Sequence, residues 1–215
     1  MADVKICGLS TVESLDTAIA AGADLIGLVF FPRSPRHVSL QQAKLLADRA
    51  RGRAKIVALV VDADDGLLRE INDVVAPDLY QAHGSETPQR VLEIHQLTGK
   101  PVIKAIKVGD VSDVAKAADY AGKANLILYD AKAPETLVNA LPGGNGLAFD
   151  WSLLGSPSQS EGFILSGGLN PENVARAIRV TGAPIVDVSS GVERAPGIKD
   201  LSLIRKFIEA AKAAR

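Results

Sequence analysis

The chain of 215 residues is predicted to fold as a single-domain α/β protein, a (β/α)8 TIM barrel spanning residues 1–215, on three observations. Eight short apolar, β-branched runs alternate with amphipathic helical patterns from end to end. That alternation implies parallel strands, because each return crossing is made by a helix. Eight such units, in a chain of a length that suits one barrel, favour closure over an open doubly wound sheet. The last two runs each lead into a glycine-rich tract, Ser166-Gly167-Gly168 and Ser189-Ser190-Gly191. Tracts of this kind on consecutive late strands are where barrels bind phosphate: glycine admits close approach, and successive N–H groups form an anion cradle. The expected ligand is therefore a phosphorylated small molecule.

Strands are placed near 4–7, 25–30, 55–61, 79–81, 102–106, 126–129, 162–165 and 185–188. Helical segments near 12–21, 40–51, 66–75, 88–98, 111–121, 150–154 and 171–180 separate them, and a last helix covers 201–214. Ser10 followed by Glu13 fits a capping box for the first helix, and Ser39 is an N-cap for the second. Pro88 and Pro171 suit first-turn positions, where a missing N–H is harmless. Gly22, Gly99, Gly122 and Gly182 fall where helices should stop. The stretch 131–149 is too long for a routine connection and reads as a lid or binding loop.

Lysine and arginine total 24 against 25 aspartate and glutamate, a net charge of −1. Such a balance gives no general field for nucleic acid or an anionic membrane. No apolar stretch approaches the ~20 residues of a membrane span, and the first residues lack an export-signal pattern. One cysteine cannot form an intrachain disulfide, so the cytoplasm is the expected location. Monomer and homodimer are both compatible with these features.

Strand side chains alternate between faces. This parity turns Lys5 and Cys7 inward, away from Val4 and Ile6, and groups Gln81 and His83 with Leu79. It groups Asp130 with Leu126 and Leu128, and Asp187 with Ile185; Lys104 is also expected inside. A buried unpaired charge is costly, so Lys5 needs a carboxylate. Closure makes the first and last strands neighbours and offers it Asp187. A network that only fixes packing would account for Lys5 and Lys104. It accounts less well for Cys7 and Asp130, which sit at the C-terminal strand ends where barrel enzymes carry chemistry.

Seven motifs occur in order: Val4-Lys5-Ile6-Cys7-Gly8, Phe31-Pro32-Arg33-Ser34-Pro35-Arg36, Gln81-Ala82-His83-Gly84, Leu128-Tyr129-Asp130-Ala131-Lys132, Gly143-Gly144-Asn145-Gly146 with Phe149-Asp150-Trp151, Leu165-Ser166-Gly167-Gly168-Leu169-Asn170-Pro171-Glu172-Asn173-Val174, and Val186-Asp187-Val188-Ser189-Ser190-Gly191-Val192-Glu193. Together they resemble the phosphoribosylanthranilate isomerase family of tryptophan biosynthesis, in register from the first strand to the eighth. Ala82, Tyr129 and Asn145 depart from the family pattern. Parity puts the first two on the outer face, so they bear on packing; Asn145 bears on the shape of the sixth loop.

The resemblance implies an Amadori rearrangement of an aminoaldose to an aminoketose. One acid opens the ribose ring and one base removes the C2' proton, with no metal or redox cofactor required. It makes Cys7 the base and Asp130 the acid, and gives Arg36 the anthranilate carboxylate, which a planar guanidinium suits. Gly167, Gly168, Ser189, Ser190 and Gly191 would cradle the phosphate through backbone N–H groups, since no dense Lys/Arg cluster flanks either tract. Lys5 and a helix N-terminus are expected to favour the Cys7 thiolate, and burial or the substrate's carboxylate to keep a proton on Asp130. Arg33 and His37 read as surface residues, and His83 as a structural histidine.

Two rivals remain. The related Amadori isomerase of histidine biosynthesis would need a phosphate site in each half and two carboxylates. Here the first half offers only Gly84-Ser85, and a thiol replaces one carboxylate. A barrel that merely binds a phosphorylated metabolite has no use for both Cys7 and Asp130.

Overall fold

Eight parallel strands, ordered around the ring as they occur in the chain, close on themselves into a barrel. The structure is a computed structural model and describes residues 1–132, 143, 149–154 and 162–214. The strands are β1 (Asp3–Cys7), β2 (Leu25–Phe30), β3 (Lys55–Val60), β4 (Leu79–Ala82), β5 (Val102–Val108), β6 (Leu126–Ala131), β7 (Phe163–Leu165) and β8 (Ile185–Val188). Around them lie α1 (Val12–Ala21), α2 (Leu40–Ala50), α3 (Asp65–Val75), α4 (Pro88–Thr98), α5 (Val111–Ala115), α6 (Val174–Thr181) and α7 (Leu201–Ala213). A short antiparallel pair, β9 (Glu193–Ala195) and β10 (Ile198–Lys199), follows β8. Pairing of β1 with both β2 and β8 is the closure.

A strand covered by helices outside and by the barrel filling inside is buried on both faces, so it reads as a continuous apolar run. Every residue of Leu25–Phe30 is accordingly buried. Val4, Ile6, Ile26 and Leu28 pack outward against helix residues such as Leu15 and Phe207. Leu25, Val57, Leu79, Ile103, Leu128 and Ile164 fill the interior. A smaller group, Cys7, Val29 and Leu59 with Phe31 and Val61, lies at the C-terminal strand ends.

The expected partner of Lys5 is present. Lys5 and Asp187 are register partners across β1 and β8, with Nζ 2.8 Å from Oδ1. The other carboxylate oxygen accepts from Ser166 Oγ at 3.2 Å. Burial works to lower the Lys5 pKa, but the adjacent Asp187 outweighs it and holds the ammonium charged. Removing one partner of such a buried pair typically costs about 3–5 kcal/mol.

Lys104 lies on the other side of the sheet from the one expected. It shares parity with Val102 and Ile106, which pack against the helices, while Ile103 and Ala105 hold the interior positions of β5. Its Nζ donates to Glu86 Oε2 at 2.7 Å and to the Gly84 carbonyl at 2.8 Å, and sits 5.8 Å from the centre of the Tyr120 ring. A period of two cannot put Lys104 inside while Val102 and Ile106 face out.

Helix ends follow the sequence with small shifts. Thr11, not Ser10, caps α1, its Oγ1 accepting from the Ser14 N–H at 3.2 Å, because the helix begins one residue later than the capping-box pattern implies. Ser39 caps α2 as expected. Pro88 opens α4, whereas Pro171 lies in the turn before α6. Gly22, Gly99 and Gly182 end α1, α4 and α6 in the left-handed region. The helix expected over 111–121 is α5 followed by a 3-10 helix, Lys116–Tyr120, and that expected over 150–154 is a 3-10 turn, Trp151–Leu154. Of the stretch 131–149, residues 133–142 and 144–148, Asn145 included, lie outside the described residues.

Candidate active site

A cavity open to solvent occupies the C-terminal end of the barrel. Cys7, Arg36, Asp130, Gly167, Gly168, Ser189 and Ser190 all line it, so residues scattered through the sequence converge on one place. Val29, Phe31, Leu59 and Val61 give part of its wall an apolar surface. Arg33 and His37 are exposed, as expected.

Cys7 ends β1 and points inward. Its register partner on β2 is Gly27, where an added Cβ would come within 2.8 Å of the Cys7 sulfur. Glycine on the neighbouring strand thus makes the room the thiol occupies. The thiol does not have the bias expected of it. Burial pushes the Cys7 thiol up; the Lys5 charge pulls it down, Asp187 opposes that, and Lys199 pulls it down further. Desolvation prevails because Asp187 largely matches the charge of Lys5.

Asp130 is buried near the end of β6. Its Oδ1 accepts from the Ala131 N–H at 3.0 Å, and its Oδ2 lies 3.2 Å from His83 Nε2. The other ring nitrogen, Nδ1, is 2.7 Å from Gln81 Nε2. The two contacts are linked through the ring: a proton on Nε2 makes His83 a donor to Asp130 and an acceptor from the Gln81 amide N–H, and a proton on Nδ1, with the Gln81 amide turned, makes Nε2 an acceptor facing Asp130. His83 is therefore buried with both ring nitrogens paired, as a structural histidine should be, and it also belongs to the cavity wall and touches the acid candidate. The signal was present in its shared parity with Gln81. Gly143, from the sixth loop, lies against the same pair: a Cβ there would meet His83 Nε2 at 2.5 Å and Asp130 Oδ2 at 2.8 Å.

Arg36 stands in the loop after β2, buried, and makes a two-pronged pair with Glu193: Nε to Oε1 and Nη2 to Oε2, each 2.8 Å. This fixes the plane of the guanidinium. Glu193 Oε1 also accepts from Lys199 Nζ at 2.8 Å. Burial acts to raise the Glu193 pKa, but Arg36 and Lys199 outweigh it and hold the carboxyl below the usual range. The sequence reading named neither Glu193 nor Lys199 as a site residue, and it counted no cationic cluster near the glycine tracts. Lys199, bonded to Ser189, is nonetheless a cation beside the second tract. The turn residues Pro196-Gly197 between Glu193 and Lys199 were the available sign of a hairpin joining the two.

The two tracts lie side by side. Gly167 and Gly168 have φ of +83° and +62°, where a side chain is disfavoured by about 1–2 kcal/mol. Among the described residues their N–H groups donate to no protein acceptor. Gly191 packs against the Leu169 carbonyl and so brings the tracts together, while Ser190 opens a 3-10 turn, Ser190–Val192.

The family described as N-(5'phosphoribosyl)anthranilate (PRA) isomerase matches residues 4–210. The N-(5'-phosphoribosyl)anthranilate isomerase of Rhodopseudomonas palustris (strain BisB5) is 56% identical over 210 residues, covering 98% of this chain and 95% of the relative. Among solved structures, phosphoribosyl anthranilate isomerase from Thermotoga maritima superimposes with a TM-score of 0.88 at 36% identity, covering 99% of both chains. A structure of phosphoribosyl anthranilate isomerase in complex with reduced 1-(o-carboxyphenylamino)-1-deoxyribulose 5-phosphate gives 0.85 at 34%, again covering 99% of each. With its barrel, its converging motifs and these matches along nearly its whole length, the chain belongs to the N-(5'-phosphoribosyl)anthranilate isomerase family.

Proposed function

We propose that the cavity carries out the family's reaction by proton transfer, with Cys7 as general base and Asp130 as general acid. The activity is the isomerisation of N-(5'-phosphoribosyl)anthranilate to 1-(2-carboxyphenylamino)-1-deoxyribulose 5-phosphate, in L-tryptophan biosynthesis. Asp130 gives a proton to the ribose ring oxygen as the furanose opens to an imine. Cys7 takes the proton from C2', leaving an enolamine that tautomerises to the ketone. Each transfer needs a group held within hydrogen-bond reach of its proton.

The observation that carries this reading is the composition of this one cavity at the C-terminal end of the barrel. A thiol and a carboxyl share it with an apolar wall, the Arg36 guanidinium and a backbone N–H cradle. A substrate with an aromatic carboxylate at one end and a phosphate at the other fits that set of surfaces. The direct test is consumption of phosphoribosylanthranilate, followed as loss of its fluorescence without added metal or cofactor. Fluorescence that stays constant with active, folded protein would count against the reading. On the same reading one barrel domain of residues 1–215 performs the reaction in the cytoplasm, as a monomer or homodimer. Among the described residues no helix is long and apolar enough to cross a membrane.

Arg36→Met should chiefly raise KM. The residue grips a carboxylate present in ground and transition states alike, so its loss weakens both. Steady-state kinetics decide this: an unchanged KM with a lower kcat would place Arg36 in the transition state instead.

Gly168→Val should weaken binding of both product and inorganic phosphate, measured by calorimetry. Its φ of +62° disfavours any side chain, and the new bulk would stand where the anion approaches. Arg194→Ala should have far less effect, because Arg194 is exposed and the N–H groups stay in place. Normal product binding by Gly168→Val, or greater damage from Arg194→Ala, would move the phosphate elsewhere.

A further inference from the structure

Lys199 is a buried cation, its side chain 2% exposed, at the end of β10. A buried ammonium is tolerated when its protons are used. Those of Lys199 go to Glu193 Oε1 at 2.8 Å, to the Ser189 carbonyl at 2.9 Å and to Ser189 Oγ at 3.3 Å. Ser189 Oγ in turn donates to the Cys7 carbonyl at 3.1 Å. The ammonium is therefore one hydroxyl away from the backbone carbonyl of Cys7 and bonded directly to a residue of the phosphate cradle. Its carboxylate is not its own, because Glu193 also takes both prongs of Arg36 and the Gly197 N–H.

We propose that Lys199 is a positioning residue for the reaction: it pins Ser189 against the backbone of Cys7, and its charge favours the Cys7 thiolate. This rests on the assignment of Cys7 as base made above. Among the described residues, the charged groups that act on Cys7 or on Lys199 are Lys5 from β1, Asp187 from β8, Arg36 from the loop after β2, Glu193 from β9 and Lys199 itself from β10. His83 and Asp130 belong to the same cavity. Within this group of five, Lys5, Arg36 and Lys199 outnumber Asp187 and Glu193 by one charge. A thiolate at Cys7 makes the group neutral. Without Lys199 the same thiolate would have no unmatched cation to face. The mutual pull agrees: burial lowers the Lys199 pKa while Glu193 supports it, and Lys199 draws the Cys7 thiol down against its own burial.

Cys7 is the one cysteine of the chain, so its alkylation by iodoacetamide reads its thiolate directly. Lys199→Met keeps the length of the side chain and deletes the charge. It should move the midpoint of the alkylation-against-pH curve up by about one unit, the effect of a single nearby charge, and lower kcat about tenfold at neutral pH. The loss of kcat should shrink as pH rises, which a purely structural defect would not do. Lys199→Arg, which keeps the charge, should restore the midpoint. An unmoved midpoint in folded Lys199→Met, or no restoration by Lys199→Arg, overturns the proposal. If Lys199→Met does not fold, the parent chain decides. Its ratio of iodoacetate to iodoacetamide rates should exceed that of free glutathione, and an equal ratio overturns the proposal. A midpoint that moves while the activity profile does not follow leaves the action on the thiol standing and removes Cys7 as base, so the two failures are separable.

Discussion

Cys7→Ala should lower kcat by about 10²–10⁴-fold, the usual contribution of a general base, while leaving the melting temperature and phosphate affinity near those of the parent chain. The substitution removes one sulfur from a small cluster with Val29 and Leu59, and none of the ion pairs beneath it. It adds no bulk beside Gly27. Fold and cradle therefore persist, and only the proton acceptor is lost. The pH profile gives a second check. A base works deprotonated, and burial pushes this thiol up from its ordinary range. The parent's kcat/KM should therefore climb as pH rises from neutral into the alkaline range, and the climb should vanish from the residual activity of Cys7→Ala. A near-parental kcat in that variant takes Cys7 out of the mechanism.

Asp130→Asn should cost a similar factor on the acid side, again about 10²–10⁴-fold in kcat. Asparagine has the same shape, and its amide oxygen can still accept from the Ala131 N–H as Asp130 Oδ1 does. What it lacks is an acidic proton to give to the ribose ring oxygen. Circular dichroism and product binding should be unchanged while turnover collapses. The contact with His83 makes a sharper comparison available. Were Asp130→Asn to keep parental turnover while His83→Asn lost it, the acid would be His83 and Asp130 its support.

The sequence by itself determined the eight barrel strands, the helix stops at Gly22, Gly99 and Gly182, and the inward parity of Lys5, Cys7, Gln81 and Asp130. These are local properties: a strand has period two, a helix needs a terminator, and a face once assigned carries its alternate residues with it. Parity failed at Lys104 because it was applied against its own apolar neighbours, Val102 and Ile106, which the outer layer claims. Tertiary structure alone decided the surroundings of the site. Arg36 meets Glu193 across 157 residues, and Lys199 reaches Ser189 only because the β9–β10 hairpin turns the chain back toward the end of β8. His83 touches Asp130 because the ends of β4 and β6 open on the same space. The direction in which Cys7 titrates belongs to this second class. It is set by how much water the whole assembly removes from the thiol and by which carboxylate reaches Lys5 first, and neither is a property of any short stretch of chain.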